Sequence, residues 1–523
     1  MALKLHKKNR SNVLPTVQAK LSSFDLSESL MTTIPVDTLI PVYWQELNPG
    51  DRFRININAL SRLMPLVAPI MSDVKLKFGA FWVPNSLIWD KFYNFMGEKV
   101  YPDSDTELTI PNLKNVTTST LTSQSIGDYL GLPIGKAFNT GEKISSLPFR
   151  AYNKIWNDWF RAIDLQEPVE LKTDSTEDDL ANYKLLKVGK PMDFFTSALT
   201  SPQAGEAINI PLVGNAGVYA SNSFSDGAWT GKINLQSRES YGGNSGEIYR
   251  TDKKNATISG ETMLYAEMSS VSGVSIEALR RSSAIQVLLE RDNRYGERYQ
   301  EIVKAHWGVD MPDWLAGRSI FLGSATSNIS VNPIVQSSST DSTSPQGNLA
   351  GLGVGVESEE LCEVSAFEHG HLMILCWASS TPLYFQGLDR KFSKRSRYDY
   401  YFPEFQNLGD EVIKNKEIFI SGNAEDEKPF GYQERYRELR ESIDKVSGLM
   451  RPNVENSLAI WHLAEQFGNL PKLGDTFITS NTPIDRVLAV KNQPPILLNC
   501  YFDVLAVRPL SVSGNPSLLV GHF

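Results

Sequence analysis

The segment RFRININA, residues 52–59, alternates Phe53, Ile55, Ile57 and Ala59 with Arg52, Arg54, Asn56 and Asn58. Successive side chains of a strand point to opposite faces, so this spacing predicts a half-buried β-strand. Before it stands Asn48-Pro49-Gly50-Asp51, whose residue types favour a tight turn, and before that a β-rich run over 38–46. Val74, Leu76, Phe78, Ala80 and Trp82 repeat the period-two pattern. Further strands are predicted at 369–378, 484–490 and 496–507, with 382–385 a shorter candidate. The run 496–507 is apolar on both faces, as a central strand would be.

Between the strands lie helical patterns. LPFRAYNKIWNDWF, residues 147–160, carries Phe149, Tyr152, Trp156, Trp159 and Phe160. From Tyr152 the apolar positions 152, 155, 156, 159, 160 and 163 draw one stripe along a helix. Pro148 suits its first turn, where a missing N–H has no intrahelical partner to lose. Its aromatic stripe is expected to anchor against a core or an interface. Helices are also predicted at 87–96 after Ser86, at 275–306 with a break at Tyr295-Gly296, and at 430–439 and 456–467. The stretch 101–125 is polar, rich in Thr and Ser, and is expected as a loop; 168–190 is polar and partly acidic, and 324–350 is polar. Residues 214–273 are rich in Ser, Gly and Asn and are expected as a long insertion with short strands of its own; insertions of this length are usually functional or mobile.

The 523 residues carry a formal charge of −9, with 41% hydrophobic and 21% charged residues, a globular composition. No run approaches the roughly 20 apolar residues of a membrane helix, so no membrane insertion is expected. The N-terminal stretch has charge but no apolar segment behind it and does not resemble a secretory signal. Cys362, Cys376 and Cys500 are too few and too scattered for a disulfide framework and are expected as buried thiols.

Catalytic patterns are missing. There is no G-x-S-x-G elbow, Walker loop, HExxH or EF-hand loop. Gly351–Gly355 (GLGVG) lacks dinucleotide-binding spacing. Glu368-His369-Gly370-His371 places two imidazoles on one side of a strand, but no carboxylate follows within 372–377; partly exposed histidines at a strand start are expected, with no metal and no cofactor. The chain is not expected to be an enzyme.

Two basic stretches are candidate phosphate contacts. Lys4, Lys7, Lys8 and Arg10 form an arm suited to phosphate. DRKFSKRSRYDYY, residues 389–401, interleaves Lys391, Lys394, Arg395 and Arg397 with Phe392, Tyr398, Tyr400 and Tyr401. Arg and Tyr together hold phosphates and stack bases, and they also enrich protein interfaces; both readings stand at this point.

An ordered set of segments resembles the major capsid protein of microviruses, the small circular single-stranded DNA phages, closest to the gokushovirus branch. They are LIPVYWQELNPGD (39–51), FWVPNSLIWDKFYNFMGE (81–98), LPFRAYNKIWNDWFR (147–161), DFFTSALTSPQ (193–203), LLERDNRYGERYQEIVKAHWGV (288–309) and STDSTSPQGNLAG (339–351). FEHGHLMIL (367–375), GLDRKFSKRSRYDYYFPEF (387–405), FGYQERYRELR (430–440), SLAIWHLAEQF (457–467) and YFDVLAVRPL with its apolar tail (501–523) follow in order. Ser201-Pro202-Gln203 departs from the family's usual Trp-Pro-Gln, and His371 takes an apolar position; 101–125 and 214–273 match poorly.

The resemblance implies an eight-stranded antiparallel jelly roll with long, partly helical insertions. Strands near both ends of the chain suit a barrel closed by its N- and C-terminal parts. Residues 1–32 are expected as a basic arm and extended segment, and 33–523 as a single jelly-roll domain. Many copies would close a T=1 icosahedral shell around circular single-stranded DNA, assembled in the bacterial cytoplasm and retained in the virion. A small basic DNA-packaging protein and a minor pilot protein of the same phage would be partners. The insertion 214–273, with Tyr219, Phe224, Trp229 and Tyr241, would protrude at the threefold axis towards a host receptor. Phe149, Tyr152, Trp156, Trp159, Phe160, Tyr398, Tyr400, Tyr401 and Phe523 are candidate core or subunit-interface anchors. A jelly-roll carbohydrate-binding module is the alternative.

Overall fold

The alternation at 52–59 belongs to a longer strand, Arg52–Leu63, in which every second residue is buried. The computed structural model describes residues 21–99, 108–136, 138, 142–205, 208, 217–221, 233–237, 248–250, 263–267, 275–296, 298–337, 339–340 and 346–512. The chain divides into two units, Met1–Pro202 with Glu297–Phe523, and Gln203–Gly296.

The larger unit is built on β1 (Ser22–Asp25), β2 (Glu28–Ile34), β3 (Ile40–Leu47), β4 (Arg52–Leu63), β5 (Val74–Pro84), β6 (Ile320–Val335), β7 (Leu349–Ser365), β8 (Gly370–Ser380) and β9 (Ile496–Arg508). They form one curled antiparallel sheet in the order β1-β9-β4-β7-β6-β5-β8-β3, with β2 also paired to β9. Its two halves, β2-β9-β4-β7 and β6-β5-β8-β3, receive the strands largely by turns as the chain alternates between them. That crossing pattern is the β jelly roll.

The halves meet through the β6–β7 hairpin. The first part of β6 pairs with β5 and its last residues, Ser330–Val335, pair with β7. Beyond Val354, β7 pairs with β4. Here the GLGVG segment explains itself. Gly351, Gly353 and Gly355 point inward. A Cβ on Gly353 would lie 2.5–2.9 Å from Leu63 side-chain atoms, and one on Gly355 would lie 2.5 Å from Ser61 Oγ and 3.1 Å from Ser327 Oγ. The backbone must approach closely where the strand turns the corner, and only glycine allows it.

Between the halves lies the main core, which includes Phe53, Ile55, Ile57, Leu76, Phe78, Trp82, Leu372, Ile374, Phe502 and Val504. A second core covers the outer face of β5 and β8. There Phe81, Val83, Met373 and Leu375 meet α1 (Leu147–Ile155) and neighbouring loops. Strands β5 and β8 are therefore buried on both faces. Strand β9 is not: it alternates, leaving Leu497, Tyr501 and Leu505 exposed. The central position predicted for 496–507 holds, since β9 lies between β4 and the β1 and β2 strands, but only one of its faces is buried; β8 is buried on both.

The polar stretch 324–350 includes most of β6 and the start of β7, the two longest of the described strands. Several expectations change. Within the predicted 430–439 helix only Arg437–Leu439 turns; Pro429–Glu434 is a strand, paired with Asp410–Lys414 on one side and bridged at Tyr432 to Leu199, so pairing overrides local helical preference there. In 456–467 only Ala459–Trp461 turns, because neighbouring backbone N–H groups are taken elsewhere: Leu463 donates to Ser72 Oγ and Phe467 to Gln386 Oε1. Residues 484–490 hold a short turn, Ile484–Arg486, and dock by backbone hydrogen bonds to 65–67 instead of forming a strand. The predicted 87–96 helix shortens to a turn at Asn85–Leu87 and one at Phe92–Phe95, and 382–385 contributes only a bridge from Tyr384 to Lys445. The break at Tyr295-Gly296 separates α2 (Ile276–Tyr295) from α3 (Tyr299–Trp307), with Gly296 at φ 115°.

In the smaller unit, Gly217–Ser221 pairs with Met263–Glu267 and with Ile233–Ser237, which pairs in turn with Ile248–Arg250. Ser275 caps α2, its Oγ accepting from the Ala278 N–H at 3.1 Å.

Candidate nucleic-acid and subunit interface

Residues 389–405 form three tight turns, Arg390–Phe392, Arg397–Asp399 and Pro403–Phe405, that lie against the Asp410–Lys414 and Pro429–Glu434 strand pair. Arg390 turns inward. Its guanidinium grips Glu417 through two hydrogen bonds of 3.0 Å and donates to Val412 O, with Glu411 and Glu438 nearby. Asp389 caps the first turn and binds Lys445 Nζ at 2.6 Å. Asp399 is spent on the chain itself: it accepts from the backbone N–H groups of Ser396 and Arg395, which hold its carboxyl below the usual range.

The other basic residues stay outside. Lys391 retains a long contact of 3.9 Å to Asp389. Lys394, Arg395 and Arg397 take part in no ion pair among the described residues. They stand beside exposed rings: Lys394 Nζ lies 5.0 Å over Tyr400, and Arg397 lies 5.8 Å from Tyr398 and 5.5 Å from Phe402. Tyr401 stacks edge-on against Tyr436 at 5.1 Å, and Tyr436 donates its hydroxyl to Tyr400 O. Tyr398, Tyr400, Tyr401 and Phe392 are all exposed. A cleft of about 220 Å³ opens beside them, with Ser393, Lys394, Arg395, Tyr398 and Arg435 on its wall. The Ser393 hydroxyl and Arg435 Nε are buried without a partner. Arg435 is absent from the sequence-based candidates because 430–439 looked helical, which hides the neighbour that pairing supplies.

The helix at 147–160 is an inward-facing element. Phe149, Tyr152 and Trp156 are buried in the second core. Tyr152 donates to Leu39 O at 2.8 Å and accepts from the Leu186 N–H, and burial pushes its phenol pKa up. Trp156 Nε1 donates to Lys187 O at 2.9 Å. After Ile155 the helix widens to a π-turn over Trp156–Phe160. Trp159 and Phe160 then both lie about 6 Å from Phe81, and the Arg318 guanidinium sits 3.6 Å above Trp159. Arg150 is fully buried and pairs with Asp178 at 2.7 Å while donating to three backbone carbonyls, which locks α1 to the 174–178 loop and to Ile88.

His371 is 1% exposed, where a partly exposed ring was expected. Its place on the doubly covered strand β8 is the reason. Neither ring nitrogen has a partner, and burial lowers its pKa to about 4. His369 lies against Phe92 instead. Among the described residues no group of three or more His, Cys, Asp or Glu is placed to hold a metal. The three cysteines are buried and free.

Lys4, Lys7, Lys8, Arg10 and Phe523 lie outside the described residues, as do Phe224, Trp229 and Tyr241; Tyr219 falls in the Gly217–Ser221 strand.

The profile of the capsid protein (F protein) family matches residues 11–518. The chain belongs to this family of phage capsid proteins. Capsid protein VP1 of Chlamydia phage 1 and that of Bdellovibrio phage phiMH2K are each 36% identical to it, with 98% of both chains covered. Capsid protein VP1 of Spiroplasma virus 4 is 29% identical over 95% of each. The resemblance to gokushovirus-like microvirus capsid proteins is thereby established, and the capsid protein is a structural component of the virion. No described helix of the capsid protein is long and apolar enough to cross a membrane.

Proposed function

We propose that this major capsid protein closes, in many copies, a T=1 icosahedral shell around a circular single-stranded DNA genome, and that the 391–401 surface faces that DNA. The observation that carries the reading is the set of cations at Lys394, Arg395 and Arg397, held by no ion pair among the described residues and interleaved with exposed Tyr398 and Tyr400. A strand without sequence preference is held by this combination, with phosphates on the cations and bases on the rings. The arm residues Lys4, Lys7, Lys8 and Arg10 would add sequence-independent phosphate contacts. With the chain at −9 overall, a basic packaging protein of the same phage would supply further neutralisation, and a pilot protein would complete the particle. Residues 214–273 would form the host-facing protrusion. Assembly would take place in the bacterial cytoplasm.

The test is a Lys394→Ala/Arg397→Ala double variant in purified particles. Shells of normal shape with less nuclease-protected DNA, and a shallower loss of DNA as salt rises, support the DNA reading. Failure to form shells at all would assign the surface to subunit contact, and unchanged DNA content at every salt concentration would overturn both.

A further inference from the structure

Just past the end of β8, beside Thr381, the larger unit holds a cavity of about 400 Å³. Pockets that take small groups run from roughly 300 to 1,000 Å³. Met71, Leu383, Val446, Met450 and Trp461 give this one apolar walls. Leu383 and Met450 pack against a small core of Phe385, Val446 and Ala464, so one side of the cavity is the open face of that core. The walls are tied in place: the Met71 N–H donates to Trp461 O at 2.7 Å, and His462 Nε2 donates to Met450 O at 2.6 Å.

The same cavity carries two carboxylates, Asp73 and Asp444. Neither takes part in a hydrogen bond or an ion pair among the described residues. Lys445 also lines the cavity, but its Nζ is bound to Asp389 at 2.6 Å. A phosphate would be repelled here, and a neutral apolar guest would take water from both carboxylates and return nothing. A cation on a flat, weakly hydrated group meets both demands. A guanidinium is such a group: it stacks on an indole face and forks to carboxylates, whereas an ammonium is compact and holds its water. Methionines such as Met71 and Met450 adapt to the stem of a long side chain. Copies of a chain at −9 repel one another, so the complementary charge is better supplied by a separate basic chain than by a second copy. We propose that this cavity receives an arginine side chain of a basic peptide, with its guanidinium on the two carboxylates and its stem along Trp461 and the methionines.

The experiment uses the full-length, unassembled chain and a short fluorescein-labelled peptide of alternating Gly and Arg, with its Lys counterpart beside it. Fluorescence anisotropy should show the Arg peptide bound several-fold more tightly than the Lys peptide. Asp73→Asn together with Asp444→Asn should weaken the Arg peptide about tenfold. Both carboxylates are exposed, so replacing them leaves the fold intact. Glu359→Gln with Glu363→Gln makes the same change in charge at exposed positions of β7 and should leave affinity nearly unchanged. Met71→Ala alters a wall residue that is 73% exposed and should weaken binding several-fold. Equal losses in the two double variants, or equal binding of the Arg and Lys peptides, would reduce the effect to general attraction between opposite charges and overturn the proposal. So would the absence of binding by either peptide. Unchanged peptide affinity in the Asp73/Asp444 variant, with lost self-association in sedimentation, would also refute it by giving the cavity to a second copy.

Discussion

His371 makes acid sensitivity a measurable property of the barrel. The ring is 1% exposed, neither nitrogen has a partner, and its pKa falls from the ordinary 6.5 to about 4 because burial disfavours the charged form. In the unfolded chain the same ring titrates normally. Between about pH 6.5 and pH 4 the unfolded state therefore binds more protons, and stability declines as pH falls through that window. Two and a half pKa units at 1.36 kcal/mol each amount to about 3 kcal/mol lost by pH 4. His371→Leu removes the titrating group without breaking a hydrogen bond. Urea unfolding of the unassembled chain at fixed protein concentration, followed by tryptophan fluorescence, should show the variant already ahead at pH 7.5, because two buried nitrogens without partners are gone. Between pH 7.5 and pH 4.5 its lead should grow by about 2 to 3 kcal/mol. Carboxylates titrate in the same range, but they are common to both chains and cancel in the difference. Parallel stability curves across pH 4–7.5 would refute the reasoning.

Two further outcomes test the two cores. Trp156→Ala deletes a ring buried against α1's layer and leaves Lys187 O without its donor; a loss of about 3–5 kcal/mol is expected, read as a lower urea midpoint and a poor yield of shells. Gly353→Val drives a side chain into Leu63 at the sheet corner and should cost at least about 1–3 kcal/mol, whereas Leu352→Ala, one residue away on the exposed face, should change thermal stability little.

The strands that were plain in the sequence are those where burial and hydrophobicity coincide. Arg52–Leu63 and Val74–Pro84 show a period of two because their inward residues are large and apolar. Strands β6 and β7 were hidden for the opposite reason. Their inward positions at the corner are Ala325, Ser327, Gly351, Gly353 and Gly355, so the period is one of side-chain size and not of hydrophobicity. Residues 430–439 were misread because pairing to Asp410–Lys414 and Leu199 is a matter of distant chain, invisible locally. At the candidate interface, the mixture of cations and tyrosines was legible. Which cation was already committed was not: Arg390 and Lys394 look alike in the sequence, yet one is clamped by Glu417 and the other faces outward beside Tyr400.

The hairpin of β6 and β7 has a consequence for how the barrel comes apart. Each of these strands holds rungs in both halves of the sheet, β6 with β5 and β7, and β7 with β6 and β4. Neither half can peel away while the other stays intact, because the same two backbones run through both. Local openings are therefore expected to be confined to the outer helical layer and loops, and the two halves to melt as a single cooperative unit. Native-state hydrogen exchange should then report one common free energy of opening for the amides of β4, β5, β6 and β7.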